Sequence, residues 1–351
     1  MLLVFGLAAF LWGIGVIMGT PIRARMIMVG VLYVAVLGVH VVLPDGHPLR
    51  VSTGGSAMFW LMLGAVGFGI AGYRNVLARL RRKAQSKEAA RAPQSKQGTF
   101  SEAELNRYAR HIVLREVGGA GQKAMKHAKV LVVGAGGLGS PALQYLAAAG
   151  VGTIGLVDDD VVDSANLQRQ VIHKDERVGM PKVFSAQAEM EAQNPFVTVR
   201  PYNRRLDVDS AAQLFAEYDV ILDGTDNFET RYLVNAAAIN TGKPLISGAL
   251  TQWEGQISVF DPARDAPCYR CIFPQAPDPS LAPPCSEAGV IGPLPGVIGT
   301  MMALEAVKLI TKAGASLRGE MLIFDGLYGE TRKIALKRRA DCPDCMGVGP
   351  Q

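Results

Sequence analysis

At 351 residues, 49% of them hydrophobic, the chain is long enough for more than one folded unit and too apolar for a disordered polymer. Its 36 basic and 31 acidic residues give a net charge of +5, but the excess is local: residues 1–72 contain no Lys and no Glu, and residues 74–96 carry eight basic residues against the single acid Glu88. Setting both segments aside leaves 25 basic and 29 acidic residues, so the remainder is slightly acidic, which excludes a basic nucleic-acid-binding domain.

Three uncharged apolar stretches open the chain, at 1–20, 26–43 and 57–72. A bilayer-crossing helix needs roughly 20 apolar residues, within a range of about 17–25, so the first two qualify and the third is near the lower limit. Arg23 and Arg25 follow the first stretch, and Arg74, Arg79, Arg81, Arg82 and Lys83 follow the third. Basic residues stay cytoplasmic, so the N-terminus is expected outside and everything after Gly72 inside. For a bacterial chain this means a multi-pass inner (cytoplasmic) membrane protein. A cleaved signal peptide at 1–20 and buried core helices are the alternatives; the missing basic n-region weighs against the first. The region thus divides into a transmembrane part, 1–73, and a basic polar linker, 74–100. The basic run is either a lipid-headgroup contact or a solvated stop-transfer flank.

In the remainder, 101–351, "SEAE" at 101–104 has the pattern of a capping box and predicts a helix to about Arg115. Strands are then predicted at 129–134, 153–158, 197–202, 219–224, 244–250 and 255–261, with helices at 138–149, 181–193, 209–217 and 227–240 between them. A proline-rich stretch, 274–295, fits no regular element. A helix at 297–312 and a strand pair around 320–336 close the domain. Alternating strand and helix points to a mostly parallel sheet covered on both faces.

The first strand runs into "LVVGAGGLGS", with Gly134, Gly136, Gly137 and Gly139 at the start of a helix. Such a turn cradles phosphate on backbone N–H groups, and Asp158, closing the next strand, suits ribose hydroxyls. By themselves these features are the dinucleotide fingerprint and lean to NAD or flavin, although a nucleoside triphosphate also fits. The following residues favour the triphosphate. In "SANLQRQ" Asn166 stands with Arg169 just beyond Asp158, and Arg169 and Lys182 in "GMPK" supply cations that one pyrophosphate does not need; phosphoryl chemistry is driven by positioning and electrostatic stabilisation. In "DGTDNFETR", Asp226 is the candidate to hold Mg²⁺ with the phosphates; the alternative makes it the cap of the next helix. The five cysteines include two C-x-x-C pairs, Cys268/Cys271 and Cys342/Cys345, a pattern for a four-thiolate zinc site, with redox pairs as the alternative.

Together "RYARHIVL", "VGAGGLGS", "SANLQRQ", "GMPK", "DGTDN", "CYRC" and "SEAGVIGPLPGVIG" resemble the MoeB/ThiF/HesA adenylyltransferases, the bacterial relatives of ubiquitin-activating enzymes. The resemblance spans about 101–346 and implies an α/β fold. That is a Rossmann-like ATP-binding sheet with helices on both faces, here preceded by about three transmembrane helices. It implies that ATP and Mg²⁺ adenylate the C-terminal glycine of a small ubiquitin-like sulfur-carrier protein (MoaD- or ThiS-like) ending in Gly-Gly, releasing pyrophosphate for molybdopterin or thiamine sulfur transfer. Gly134, Gly136, Gly137 and Gly139 would form the nucleotide loop and Asp158 would meet ribose. Asn166, Arg169 and Lys182 would meet the phosphates, Asp226 Mg²⁺. Arg110 would reach the ATP site of a second copy, implying a homodimer. The four paired cysteines would hold structural Zn²⁺. Cys285 matches a cysteine that some members use for a covalent sulfur link, or it is an ordinary loop cysteine. The chain stops shortly after Cys345, so a separate sulfurtransferase or cysteine desulfurase is the expected sulfur source. Further alternatives are adenylation of a peptide terminus or a tRNA base, a dinucleotide-dependent oxidoreductase, and a non-catalytic membrane scaffold; the paired cysteines weigh against the tRNA branch.

Overall fold

The computed structural model describes residues 1–54, 56–67, 69, 72–73, 76–77, 99–278 and 288–349. The chain divides into two compact units, Met1–Gln94 and Ser95–Gln351.

The first unit is helical: α1 (Leu2–Ile17), α2 (Ile22–Val42), the short α3 (Pro48–Ser52) and α4 (Ala57–Gly67). Its interior is small, built on Val4, Val36 and Trp60. The Tyr33 hydroxyl donates to the Trp60 carbonyl at 2.7 Å, and the Trp60 indole N–H donates to Thr53 O at 3.2 Å. Most other large apolar side chains point outward, among them Leu3, Phe10, Val31, Val34 and Met62. Among the described residues, α2 alone of the three predicted spans is long and apolar enough to cross a membrane, over Ala24–Val42. Helix α1 has 16 residues, roughly 24 Å of rise against a hydrocarbon core of about 30 Å. The third predicted span lies partly outside the described residues.

The second unit is built on a sheet with eight strands among the described residues, in the order β3-β2-β1-β4-β5-β6-β7-β8. The strands are β1 (Lys129–Val133), β2 (Thr153–Asp158), β3 (Thr198–Asn203), β4 (Val220–Asp223), β5 (Leu245–Leu250), β6 (Glu254–Phe260), β7 (Glu320–Asp325) and β8 (Glu330–Ala335). From β3 to β5 all pairs are parallel; β6, β7 and β8 extend the sheet antiparallel. One face packs against α7 (Gly139–Ala149), α8 (Lys182–Gln193) and α12 (Pro293–Thr311) through Val130, Val132, Leu143, Ile154, Val183 and Ile298. The other packs against α9 (Val208–Ala216) and α10 (Phe228–Asn240) through Leu131, Phe215, Ile221 and Val234. With both faces covered, the central strands read as unbroken apolar runs. Helix α12 is also long and apolar enough to cross a membrane, yet Ile298, Met302 and Ala306 are buried in this core.

The capping box forms as predicted at α5 (Glu102–Ile112): Glu104 N donates to Ser101 Oγ at 3.3 Å and Ser101 N to Glu104 Oε2 at 2.8 Å. Helix α5 ends at Ile112 rather than Arg115. Among the described residues of this unit two α-helices were not predicted, α6 (Gly118–His127) and the single turn α11 (Tyr269–Ile272); in the first unit α3 falls in a stretch expected to be a loop. Helix α12 starts at Pro293, inside the stretch left unassigned. Its prolines occupy the first turn, where a missing N–H costs nothing.

Candidate active site

Strand order reverses between β1 and β4, and the loops leaving these two strands meet at the carboxyl edge of the sheet, where open α/β sheets bind ligands. Gly134 leaves β1 at φ +96°, and a Cβ on Gly139 would sit 1.9 Å from Gly134 O; at these two positions no side chain is sterically possible without moving the turn. Gly136 and Gly137 then line a cleft of about 1180 Å³, with the N-terminus of α7 behind them. The dipole of that helix favours an anion.

The turn is pinned from two sides. Asp158, at the end of β2, accepts from Ala135 N at 2.7 Å through Oδ2 and from Asp160 N at 2.8 Å through Oδ1. Burial pushes its carboxyl up from the usual range despite these bonds. Asp158 also lines the cleft. On the other side the buried His173 contacts Ala135 O through Nε2 at 3.0 Å and Ser185 Oγ through Nδ1 at 3.0 Å. A carbonyl only accepts, so Nε2 carries the proton. Desolvation, with Lys182 and Arg177 nearby, keeps this imidazole below its ordinary range and neutral.

The cations converge on the same turn. Arg169 donates through Nη2 to Asn166 Oδ1 at 2.7 Å and packs beside Gly137, so the asparagine aims the guanidinium. Lys182 opens α8, is only 4% exposed, and pairs with Asp160 Oδ2 at 2.8 Å. That partner is itself largely solvent-exposed, so phosphate oxygens entering the cleft can take over the ammonium at little structural cost. Across the cleft, Asn227 caps α10 by accepting from Thr230 N at 2.9 Å, which disposes of Asp226 as the cap. Asp226 is exposed, lines the cleft, and makes no hydrogen bond or ion pair among the described residues. A lone carboxylate facing a phosphate site fits the way Mg²⁺ is bound, by one or two carboxylates plus substrate oxygens.

Beneath it lies a buried network that sequence reasoning missed. Asp223 accepts from Thr225 N at 3.0 Å and Ser247 Oγ at 3.1 Å and pairs with Arg231 at 3.5 Å. Arg231 also donates to Thr225 O, to Ser247 Oγ at 3.1 Å and to Gly248 O at 2.8 Å. These bonds fix the turn that presents Asp226.

The paired cysteines come together at the far end of α10. The four Sγ atoms lie within 4.8 Å of one another, with Cys268–Cys342 at 3.5 Å, Cys271–Cys345 at 3.4 Å and Cys268–Cys271 at 3.7 Å. Four thiolates around one tetrahedral Zn²⁺ at about 2.3 Å stand about 3.8 Å apart, so the donor set fits zinc. Burial pushes the Cys268 thiol up, and Cys345 to about 11; a divalent cation reverses that preference by binding the thiolates. The backbone N–H of Arg339 points at Cys271 Sγ, 3.5 Å away. Asn235 of α10 ties the two arms, donating to Asp344 at 2.9 Å and accepting from Tyr269 N at 2.9 Å.

A family model described as "ThiF family" matches residues 108–344, the greater part of the chain. The chain belongs to the ThiF family. A sulfur carrier protein adenylyltransferase of Thermus thermophilus is 47% identical over 250 residues, covering 70% of this chain and 92% of that protein. A SAMP-activating enzyme E1 of Haloferax volcanii is 47% identical, covering 69% and 89%. A probable adenylyltransferase/sulfurtransferase MoeZ of Mycobacterium tuberculosis is 49% identical; the match covers 70% of this chain and 63% of MoeZ. Among solved structures, Escherichia coli MccB with MccA-N7isoASN superposes with a TM-score of 0.61 at 23% identity, over 68% of this chain and 75% of that one. PaaA gives 0.60 at 20% identity, over 76% and 83%. The structural matches show that the ThiF-family chain shares their fold.

Within the ThiF-family unit, the structure gathers Gly134, Gly136, Gly137, Asp158, Arg169, Lys182 and Asp226 around one cleft, with Asn166 behind Arg169 and Gly139 under the loop. Arg110 lies elsewhere. It is exposed in the last turn of α5 and does not line this cleft. Cys285 lies outside the described residues.

Proposed function

We propose that this chain adenylates the C-terminal glycine carboxylate of a small ubiquitin-like sulfur-carrier protein ending in Gly-Gly, using ATP with Mg²⁺ and releasing pyrophosphate. The observation that carries this reading is the convergence of Arg169, Lys182 and Asp226 on a glycine loop in a cleft that extends well past that loop. Its far end runs past Gln252 and Trp253 to Ala288 and Leu327, which leaves room for an extended tail. The roof there is held by backbone bonds from Ile291 N to Gln252 O at 3.1 Å and Gly326 N to Trp253 O at 2.8 Å.

The chemistry follows from charge. A carboxylate oxygen attacks the α-phosphorus of ATP, the bond to the bridging oxygen breaks, and pyrophosphate leaves with the electron pair. Nucleophile and electrophile are both anionic, so their repulsion dominates the barrier. Arg169 and Lys182 neutralise phosphate oxygens, and the loop N–H groups position them. Asp226 would hold Mg²⁺, which supplies further charge neutralisation across the phosphates. The nucleophile is already ionised, so no general base is required. Relatives at 47% identity named for sulfur-carrier or SAMP activation support a protein tail as substrate. The test is exchange of labelled pyrophosphate into ATP, which should appear only when a MoaD- or ThiS-like carrier with an intact diglycine is added. Lack of exchange with every such carrier sinks the substrate reading.

The same reading includes a homodimer completed by Arg110 and structural zinc on Cys268, Cys271, Cys342 and Cys345. It also includes a separate sulfurtransferase or cysteine desulfurase, acting after adenylation in molybdopterin or thiamine sulfur transfer. We further propose that the first unit anchors the enzyme in the cytoplasmic membrane, with α2 among its spans and the catalytic unit inside. Its outward apolar side chains and the basic residues at Arg23, Arg25 and 74–83 support this. After alkaline carbonate washing the protein should stay with the membrane pellet; its release into the supernatant would remove the anchor from the account.

A further inference from the structure

We infer that Arg204 closes over the nucleobase of the bound nucleotide and makes the site select a purine. The inference rests on the ATP reading of the cleft and extends it to a residue that the motif set leaves unassigned. Strands β2 and β3 are parallel neighbours, and Asp158 is directly opposite Asn203. Adjacent strands are about 4.8 Å apart, so Arg204 and Arg205 leave the sheet next to the carboxylate placed at the ribose. Arg204, Arg205 and Leu206 all line the cleft. With phosphates on the glycine loop and ribose at Asp158, the base extends toward this corner. Its floor is apolar: Val157 is 2% and Leu206 7% exposed, both packed into the core beneath the sheet.

A flat base over such a floor needs a second flat group above it to exclude water, and a guanidinium stacks well on aromatic faces. The two arginines are not equivalent. Arg205 is occupied by Glu229 at 3.2 Å. Arg204 has no ion pair among the described residues; it is exposed, with its guanidinium 5.8 Å from the centre of the Tyr202 ring. Arg204 therefore rests beside an aromatic ring at the cleft rim, and a bound purine offers a second, more enclosed face. Phosphate neutralisation is already assigned to Arg169 and Lys182, on the loop side of Asp158.

The test is equilibrium binding of ATP and CTP to the detergent-solubilised full chain and to its Arg204→Ala and Arg204→Lys variants. Arg204→Ala should weaken ATP binding about tenfold and CTP binding far less, shrinking the purine preference. In carrier-dependent exchange the KM for ATP should rise far more than kcat falls. Arg204→Lys should not restore the preference, because an ammonium keeps the charge and loses the plane. Unchanged ATP affinity in Arg204→Ala, or full rescue by lysine, overturns the inference while leaving the ATP reading intact. A wild-type protein that binds neither nucleotide overturns both.

Discussion

Arg110→Ala and Asp226→Ala should each lose about a thousandfold in carrier adenylation, and a mixture of the two inactive proteins, dissociated and reassociated, should recover activity. Arg110 is a guanidinium at the end of α5 with no ion pair or hydrogen bond among the described residues, outside the cleft of its own chain. Beside it Val113 is 77% and Leu114 49% exposed, an apolar surface next to an unpaired cation. If Arg110 completes the site of a second copy, a mixed dimer has one site lacking both groups and one lacking neither. Random reassociation in a two-fold dimer then restores about a quarter of the sites. If Arg110 serves its own chain, every site in the mixed dimer lacks one group and activity stays lost. Comparing mixed and unmixed variants in the exchange assay therefore decides where the arginine acts.

Removing the metal should produce the largest stability effect. The purified chain is expected to carry one zinc, and either chelation or Cys268→Ser should lower the melting temperature by about 10 °C or more. Structural zinc contributes apparent binding energies on the order of 10 kcal/mol to folding, and each kcal/mol corresponds to roughly 2–4 °C in a unit of this size. Without metal, four buried sulfur groups face one another with no compensating charge. The damage should reach the cleft. Tyr269, between Cys268 and Cys271, lines it and packs edge-on against Phe260 and Tyr232. Asn235 links the arm carrying Asp344 to α10, whose first turn follows Asp226. Metal analysis showing no zinc, with a melting curve unmoved by chelator, would contradict this.

Local motifs were legible in the sequence and assembled networks were not. The parallel half of the sheet could be read because β1, β2 and β4 are covered on both faces and leave continuous apolar runs. The glycine loop, Asp158, Arg169 and Lys182 were readable because each lies in a short stretch whose spacing carries the chemistry. Helix α6 was invisible. Gly118, Gly119 and Gly121 depress helix propensity, and its formation depends on burying Gln122 and Met125 against the rest of the unit. The start of α12 was hidden by prolines that read as breakers until they are seen in the first turn. Arg231 was missed because its partners come from β4 and β5, brought together only by the register that sets Asp223 beside Ser247. The first predicted span showed an apolar run of sufficient length, but Gly19 takes φ +65° and helix α1 stops at Ile17.

The most direct measurement is the intact mass of a diglycine-tailed carrier after incubation with the full chain and Mg·ATP. The account predicts a carrier heavier by one adenylyl group (AMP less water), with pyrophosphate formed in equal amount and no adduct on a carrier lacking its terminal glycine. A carrier that leaves the incubation unmodified while the cleft takes up a nicotinamide dinucleotide in place of ATP would contradict it.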